Sequence, residues 1–129
     1  MQPGPPRGAT EVLDVTVTPD MAATVDGEVI HDVYGTQALV GHMEQVCRNL
    51  LVEHLEPGEE GVGHHLDVTQ RSPVPIGATI ELTATVAQVS SQRLMCEVIV
   101  RRGSQMVARG SFDQRVVRSR DFLAELDAL

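Results

Sequence analysis

The sequence predicts an α+β fold in which one long helix covers one face of a curved antiparallel sheet. Three observations carry this expectation. Leu39, Met43, Val46, Cys47, Leu50 and Leu51 follow the i, i+3, i+4, i+7 spacing of a single buried helix face. Four segments in which apolar and polar residues alternate come after it, between residues 62 and 117. The later links, Ser90-Ser91-Gln92 and Gly103-Ser104, are short enough only for hairpins, so the strands should run antiparallel.

The chain has 129 residues, which is one domain by size. Hydrophobic residues make up 42%, enough for a core, but aromatics only 2% with no Trp, so that core must be aliphatic. The net charge of −8 and the lack of any basic block exclude nucleic acid and anionic membrane as expected partners. All ten basic residues are Arg; without a lysine there is neither Schiff-base chemistry nor a P-loop lysine. Cys47 and Cys96 lie in apolar segments without a CxxC spacing and read as buried free thiols in a reducing compartment. No leader pattern opens the chain and no apolar run reaches membrane-spanning length, so the expected location is the cytoplasm.

Taken in order, residues 1–10 (MQPGPPRGAT) are rich in Pro and Gly and are expected to form a flexible arm, with residues 11–129 forming the domain. Residues 11–18 make a first strand with Leu13, Val15 and Val17 on its apolar face. Residues 19–35 give a turn signal at Asp26-Gly27 and weak β character at Glu28-Val29-Ile30, and read as an irregular segment or short helical turn crossing the site. The main helix spans 36–55, with Thr36 suited to cap it and Pro57-Gly58 to end it. The strand at 62–70 places Val62, His64, Leu66, Val68 and Gln70 together; 79–90 turns Ile80, Leu82, Ala84 and Val86 inward; 93–102 does the same with Leu94, Cys96, Val98 and Val100; 105–117 groups Met106, Ala108, Gly110 and Phe112. Between the first two of these strands, the prolines of SPVPIG (72–77) preclude a central strand. Ser119 is placed to cap a last amphipathic helix. An open sheet leaves edges to protect, so dimerisation that joins two sheets is expected.

Three polar residues interrupt the apolar surfaces. Glu44 falls at the margin of the helix's apolar face, able to activate water or attack a carbonyl, or else an ordinary solvated or ion-paired glutamate. Thr36 projects over the same side; capping and a functional hydroxyl are compatible roles. Gln70 sits on an apolar strand face, where a buried amide needs partners: Glu44, Thr36 or a ligand. Backbone amides at Gly35-Thr36 could hold an oxyanion. His42 points away from the core on a helical wheel. His64-His65 cannot chelate one metal together, because adjacent strand residues face opposite ways, and no metal or cofactor is expected.

Residues 34–117 resemble the hotdog fold, and more narrowly the fluoroacetyl-CoA thioesterase-like branch. The resemblance rests on VYGTQALVGHMEQVC (33–47), HLEPGEEGVG (54–63), the V-T-Q-x-x-P-x-P-x-G turn (68–77) and GSFDQRVV (110–117). It implies a homodimer that hydrolyses acyl-CoA thioesters at the subunit interface, with an antiparallel sheet wrapped around the central helix. The family's helix threonine and the glutamate eight residues on correspond to Thr36 and Glu44. Its segment lining the acyl pocket corresponds to Ile30, Val33 and Tyr34, and a basic residue near the substrate to Arg115. The family's strand histidine falls on Gln70, a departure: an amide exchanges hydrogen bonds but takes no proton.

The expected activity is therefore hydrolysis of a small or medium acyl thioester, with Glu44 as the carboxylate and Thr36 and Gln70 orienting water or the carbonyl. Two alternatives remain open at the level of sequence: a non-catalytic acyl-CoA or small-ligand binder, and different chemistry such as dehydration on the same fold.

Overall fold

The computed structural model describes residues 1–129. Its centre is α1 (Thr36–Val52), which buries Leu39, Met43, Val46, Cys47, Leu50 and Leu51, the stripe expected from the spacing. The helix ends three residues earlier than expected, and Gly58 supplies the left-handed turn (φ 86°) that leads into the sheet. Gly35, not Thr36, occupies the N-cap position, which leaves the Thr36 hydroxyl free for another partner.

The main sheet has five antiparallel strands, β1 (Thr10–Thr16), β4 (Glu59–Gln70), β5 (Thr79–Ser90), β6 (Arg93–Arg102) and β7 (Gln105–Arg118), in the order β1-β5-β6-β7-β4. Residues 19–35, expected as an irregular segment or short helical turn, contain a short 3-10 turn (Pro19–Met21), but the rest is a hairpin of β2 (Ala22–Val25) and β3 (Glu28–Tyr34). Asp26 (φ 53°) and Gly27 (φ 78°) both take the left-handed conformation a two-residue hairpin requires. The turn signal was present; what concealed the strands is that five of the seven residues of β3 are exposed, so no apolar alternation marks them.

The inward faces of β5 and β6 are as expected, with Ile80, Leu82, Ala84, Leu94, Cys96 and Val100 all at most 1% exposed. Two bulges alter the other strands. The β4–β7 register passes from Gly63↔Gln114 to His65↔Asp113, so His64 is the extra residue. Leu66, Val68 and Gln70 face inward as expected, but Val62 is paired with Arg115 on the opposite face, and Gly61 and Gly63 take the inward positions. A second bulge at Val107 turns Met106 to the outer face with Arg101, away from Ala108.

The core is a cluster of 23 residues between α1 and the sheet, with Tyr34 and Phe112 its two aromatic members. Of residues 1–10, expected as a flexible arm, Thr10 already belongs to β1 and the rest lie against the sheet: Met1 is 3% exposed and Gly8 donates its N–H to the Val86 carbonyl. α2 (Ser119–Asp127) buries no residue and has no side-chain cap from Ser119. No helix is long and apolar enough to cross a membrane.

Candidate active site

The start of α1 is fixed by close backbone packing. A Cβ on Gly35 would lie 2.9 Å from the Ala23 Cα and 3.1 Å from the Ala22 carbonyl, so only glycine lets the hairpin pass here. The Gly35 N–H is taken by the Met21 carbonyl at 2.8 Å, and so is not available to an oxyanion. The amides of the first helical turn, from Thr36 on, have no intrahelical acceptor and carry the positive end of the helix dipole.

Gln70, the last residue of β4, meets this corner. The Thr36 hydroxyl donates to Gln70 Oε1 at 3.1 Å, and Gln70 Nε2 donates to the Tyr34 carbonyl at 3.3 Å. Of the partners expected for the Gln70 amide, Glu44, Thr36 or a ligand, Thr36 is the one it meets, and the bonded geometry sets its donor and acceptor ends. These residues, with Val33, Gly35 and the exposed Arg71, line a cleft of about 300 Å³.

Glu44 lies elsewhere. Eight residues along a helix is about 12 Å, and Glu44 lines a separate cleft of about 240 Å³ with Gly41, Gly61, Gly63, Phe112 and Gln114. Its side chain is exposed and holds no hydrogen bond or ion pair. The neighbouring Arg48 is committed to Glu60 through two bonds of 3.0 Å. Within one chain, Thr36 and Gln70 come together and Glu44 stays apart.

Of the other expected binding residues, Tyr34 is 2% exposed and its hydroxyl is bonded to His42 Nδ1. His42 does not point away from the core, as the wheel suggested, but is half-buried and stacked on Tyr34 with ring centroids 5.7 Å apart. Burial pushes the Tyr34 phenol far above its usual range and holds the His42 imidazole below its own. Val33 is half-buried and bridges to Pro75, while Ile30 is 52% exposed on the outer part of the hairpin. Arg115 stands on the face of the sheet away from α1, 3.7 Å from Asp113, which also takes a bidentate contact from Arg93. The chain neighbour of Arg115 is the residue that faces the helix: Gln114 lines the Glu44 cleft and is 4% exposed. Sequence reasoning passed over it, although continuing the alternation beyond Phe112 by two residues points to Gln114. Cys47 is fully buried beside Cys96, whose hydrogen bond together with burial holds the Cys47 thiol well above the usual range, so it is no nucleophile. No three His, Cys, Asp or Glu residues are grouped to hold a metal ion.

Comparison with known proteins bears on this arrangement. Residues 17–120 match the model of a family described as the fluoroacetyl-CoA-specific thioesterase. The fluoroacetyl-CoA thioesterase of Streptantibioticus cattleyicolor is 30% identical over 95 residues, 74% of this chain and 68% of that protein. Among solved structures, a Thermus thermophilus protein described as a thioesterase superfamily member superposes with a TM-score of 0.90 at 25% identity, covering 99% of this chain and 94% of its own. The fluoroacetyl-CoA thioesterase FlK superposes with a TM-score of 0.87 at 26% identity, over 97% of each chain. A hot-dog-like protein from Thermanaerovibrio acidaminovorans, at 21% identity and a TM-score of 0.86, shares the fold.

Proposed function

The chain belongs to the fluoroacetyl-CoA-specific thioesterase family, and from that premise we propose that two copies of it form an acyl-CoA thioesterase whose sites each straddle the subunit boundary. The reaction class, hydrolysis of acyl-CoA thioesters, comes with the family. The single observation supporting the shared site is the division of the residues: Thr36 and Gln70 line one cleft, Glu44 another, and both clefts are bordered by β4.

β4 is an edge strand of twelve residues with no proline, lysine or arginine along it. Such an edge is a template for pairing. Along the strand Gln70 and Gly63 are about 23 Å apart at the usual rise. If two β4 strands pair antiparallel about a two-fold axis near Leu66, the bulge at His64 puts Gln70 opposite Gly61 of the partner subunit. The Thr36–Gln70 cleft of one protomer then abuts the partner's Glu44 cleft, at both ends of the dimer.

In the assembled site Glu44 is the group able to take a proton. Gln70 cannot, because its amide only exchanges hydrogen bonds. Glu44 therefore activates water or attacks the thioester carbonyl, Thr36 and Gln70 orient the reacting group, and first-turn amides of α1 stabilise the oxyanion. Val33 and Tyr34 line the Thr36 cleft, on the side from which the CoA arm enters, and the acyl chain extends toward the partner's Glu44. For the phosphates of CoA, Arg71 at the Thr36 cleft is better placed than Arg115. The two free thiols fit a cytoplasmic enzyme.

Subunit mixing tests this reading. Glu44→Ala and Gln70→Ala homodimers are each expected to be impaired in thioester hydrolysis, and their mixed dimer to regain activity, because one of its two sites keeps all its groups. A mixture no more active than its parents would show that each site lies within one chain. Saturable acyl-CoA binding by the wild type without turnover would instead select a binding protein.

A further inference from the structure

Gln114 is one of only two buried polar side chains in the molecule, and the other, Asp113, is fully engaged by Arg93. Gln114 is not: its Nε2 is buried and has no hydrogen-bond partner. A buried amide without an acceptor is costly, and such groups call for an explanation. The surroundings are equally unusual. Gly61 and Gly63 face Gln114 and Phe112 from β4, and Gly41 faces open space from the helix, so three positions around this cleft carry no side chain. Filling two of them would be difficult: a Cβ on Gly61 would come within 2.4 Å of Leu51 and one on Gly63 within 3.3 Å of Phe112. The one group in the cleft that only accepts hydrogen bonds, Glu44, lines it without bonding to Gln114. The Gln114 side chain and a carboxylate thus line one cleft of about 240 Å³ and do not bond to each other.

We propose that Gln114 is a specificity-determining residue whose side-chain N–H donates to a hydrogen-bond acceptor on the acyl group, so that the preferred substrates are short acyl-CoAs bearing a neutral oxygen substituent, a hydroxyl or a keto group, and not plain alkyl acyl-CoAs. This rests on the assignment of Glu44 to the reacting centre, since the same cleft must then receive the acyl chain. The cleft's volume keeps the chain short, because ligands of drug size need roughly 300–1,000 Å³. Phe112 and the glycine backbones supply an apolar wall for its carbon atoms. An anionic substituent is disfavoured by Glu44 in the same cleft. A donor that remains unpaired when an alkyl chain binds discriminates strongly, as in other sites built around a substrate hydroxyl.

The test compares CoA thioesters in near-isosteric pairs, hydroxyl against methyl: glycolyl with propionyl, lactoyl with isobutyryl, 3-hydroxypropionyl with butyryl. The wild type is expected to favour the hydroxyl member by roughly tenfold or more in kcat/KM. Gln114→Met, which keeps the length and removes the donor, is expected to erase or invert that preference while turnover of the alkyl member persists. Equal kcat/KM within each wild-type pair overturns the proposal and leaves the thioesterase reading intact. So does a Gln114→Met variant that slows both members alike, which would place the amide on the thioester carbonyl or on Glu44. No turnover of any thioester by the wild type overturns both readings. The wild-type ratios need no variant, so they decide the matter even if Gln114→Met fails to fold.

Discussion

Gly110 is the point where the functional strand is held to the rest of the sheet, and Gly110→Ala is expected to release it. Gly110 lies in β7 opposite Val68 of β4 and Val98 of β6. A Cβ there would be 2.0 Å from the Asp67 carbonyl oxygen and 2.9 Å from the Val68 Cα. Both atoms are backbone, so no rotamer change can relieve the contact, and β4 must move outward by more than an ångström. Overpacking of this kind costs about 1–3 kcal/mol. Displacing one or two ladder hydrogen bonds adds about 1 kcal/mol each. The total, about 2–5 kcal/mol, corresponds to a fall in Tm of roughly 8–20 °C for a domain of this size. Gln70 should shift with β4 and loosen from Thr36, so thioester hydrolysis should drop as well. Thermal unfolding followed by circular dichroism, with activity measured well below Tm, is the assay. A Tm within about 2 °C of wild type would refute the reasoning, because it would mean the strands accommodate a methyl group where the backbone leaves no room.

Other outcomes follow from the same structure. Glu44→Ala should reduce turnover by roughly 100-fold or more, as loss of a general base does, yet move Tm by less than about 2 °C, because Glu44 is exposed and bonded to nothing; a fully active variant would remove Glu44 from the mechanism. Gly41→Ala should raise helix stability by about 0.5–1 kcal/mol, since a Cβ there meets nothing within 4 Å, while narrowing the acyl cleft enough to raise KM; unchanged kinetics would place the acyl group elsewhere. His42 titrates lower in the folded protein than unfolded, so the stability it contributes is present above the unfolded value near pH 6.5 and is lost as pH falls through the folded value. Tyr34 titrates higher when folded, so its contribution is present below about pH 10 and is lost as pH rises above that. Denaturant titrations across pH should accordingly show stability falling on both sides of neutrality, with both limbs reduced in the Tyr34→Phe, His42→Gln double variant; identical profiles in the two proteins would exclude this pair as the source.

The sequence by itself determined the elements whose burial is periodic. The stripe from Leu39 to Leu51 could only be a helix with one buried face, and the alternation at 79–102 could only be strands with one face in a core, so α1, β5 and β6 match the structure closely. The attraction between Thr36 and Gln70 was also legible, because an amide on an apolar strand face must find a partner. Tertiary structure alone decided the rest. A bulge inserts one residue without leaving a mark in composition, so the inward turn of Gly61 and Gly63, and the outward turn of Val62, could not be read from alternation. The β2–β3 hairpin is held by its turn and its backbone ladder, with few buried side chains, and so carried almost no hydrophobic signal. That Gln114 shares a cleft with Glu44, while Gln70 shares a separate one with Thr36, depends on which elements pack side by side. Periodicity reports which faces of an element are buried; which residues of different elements meet is set by register and packing, and those are fixed only when the chain closes on itself.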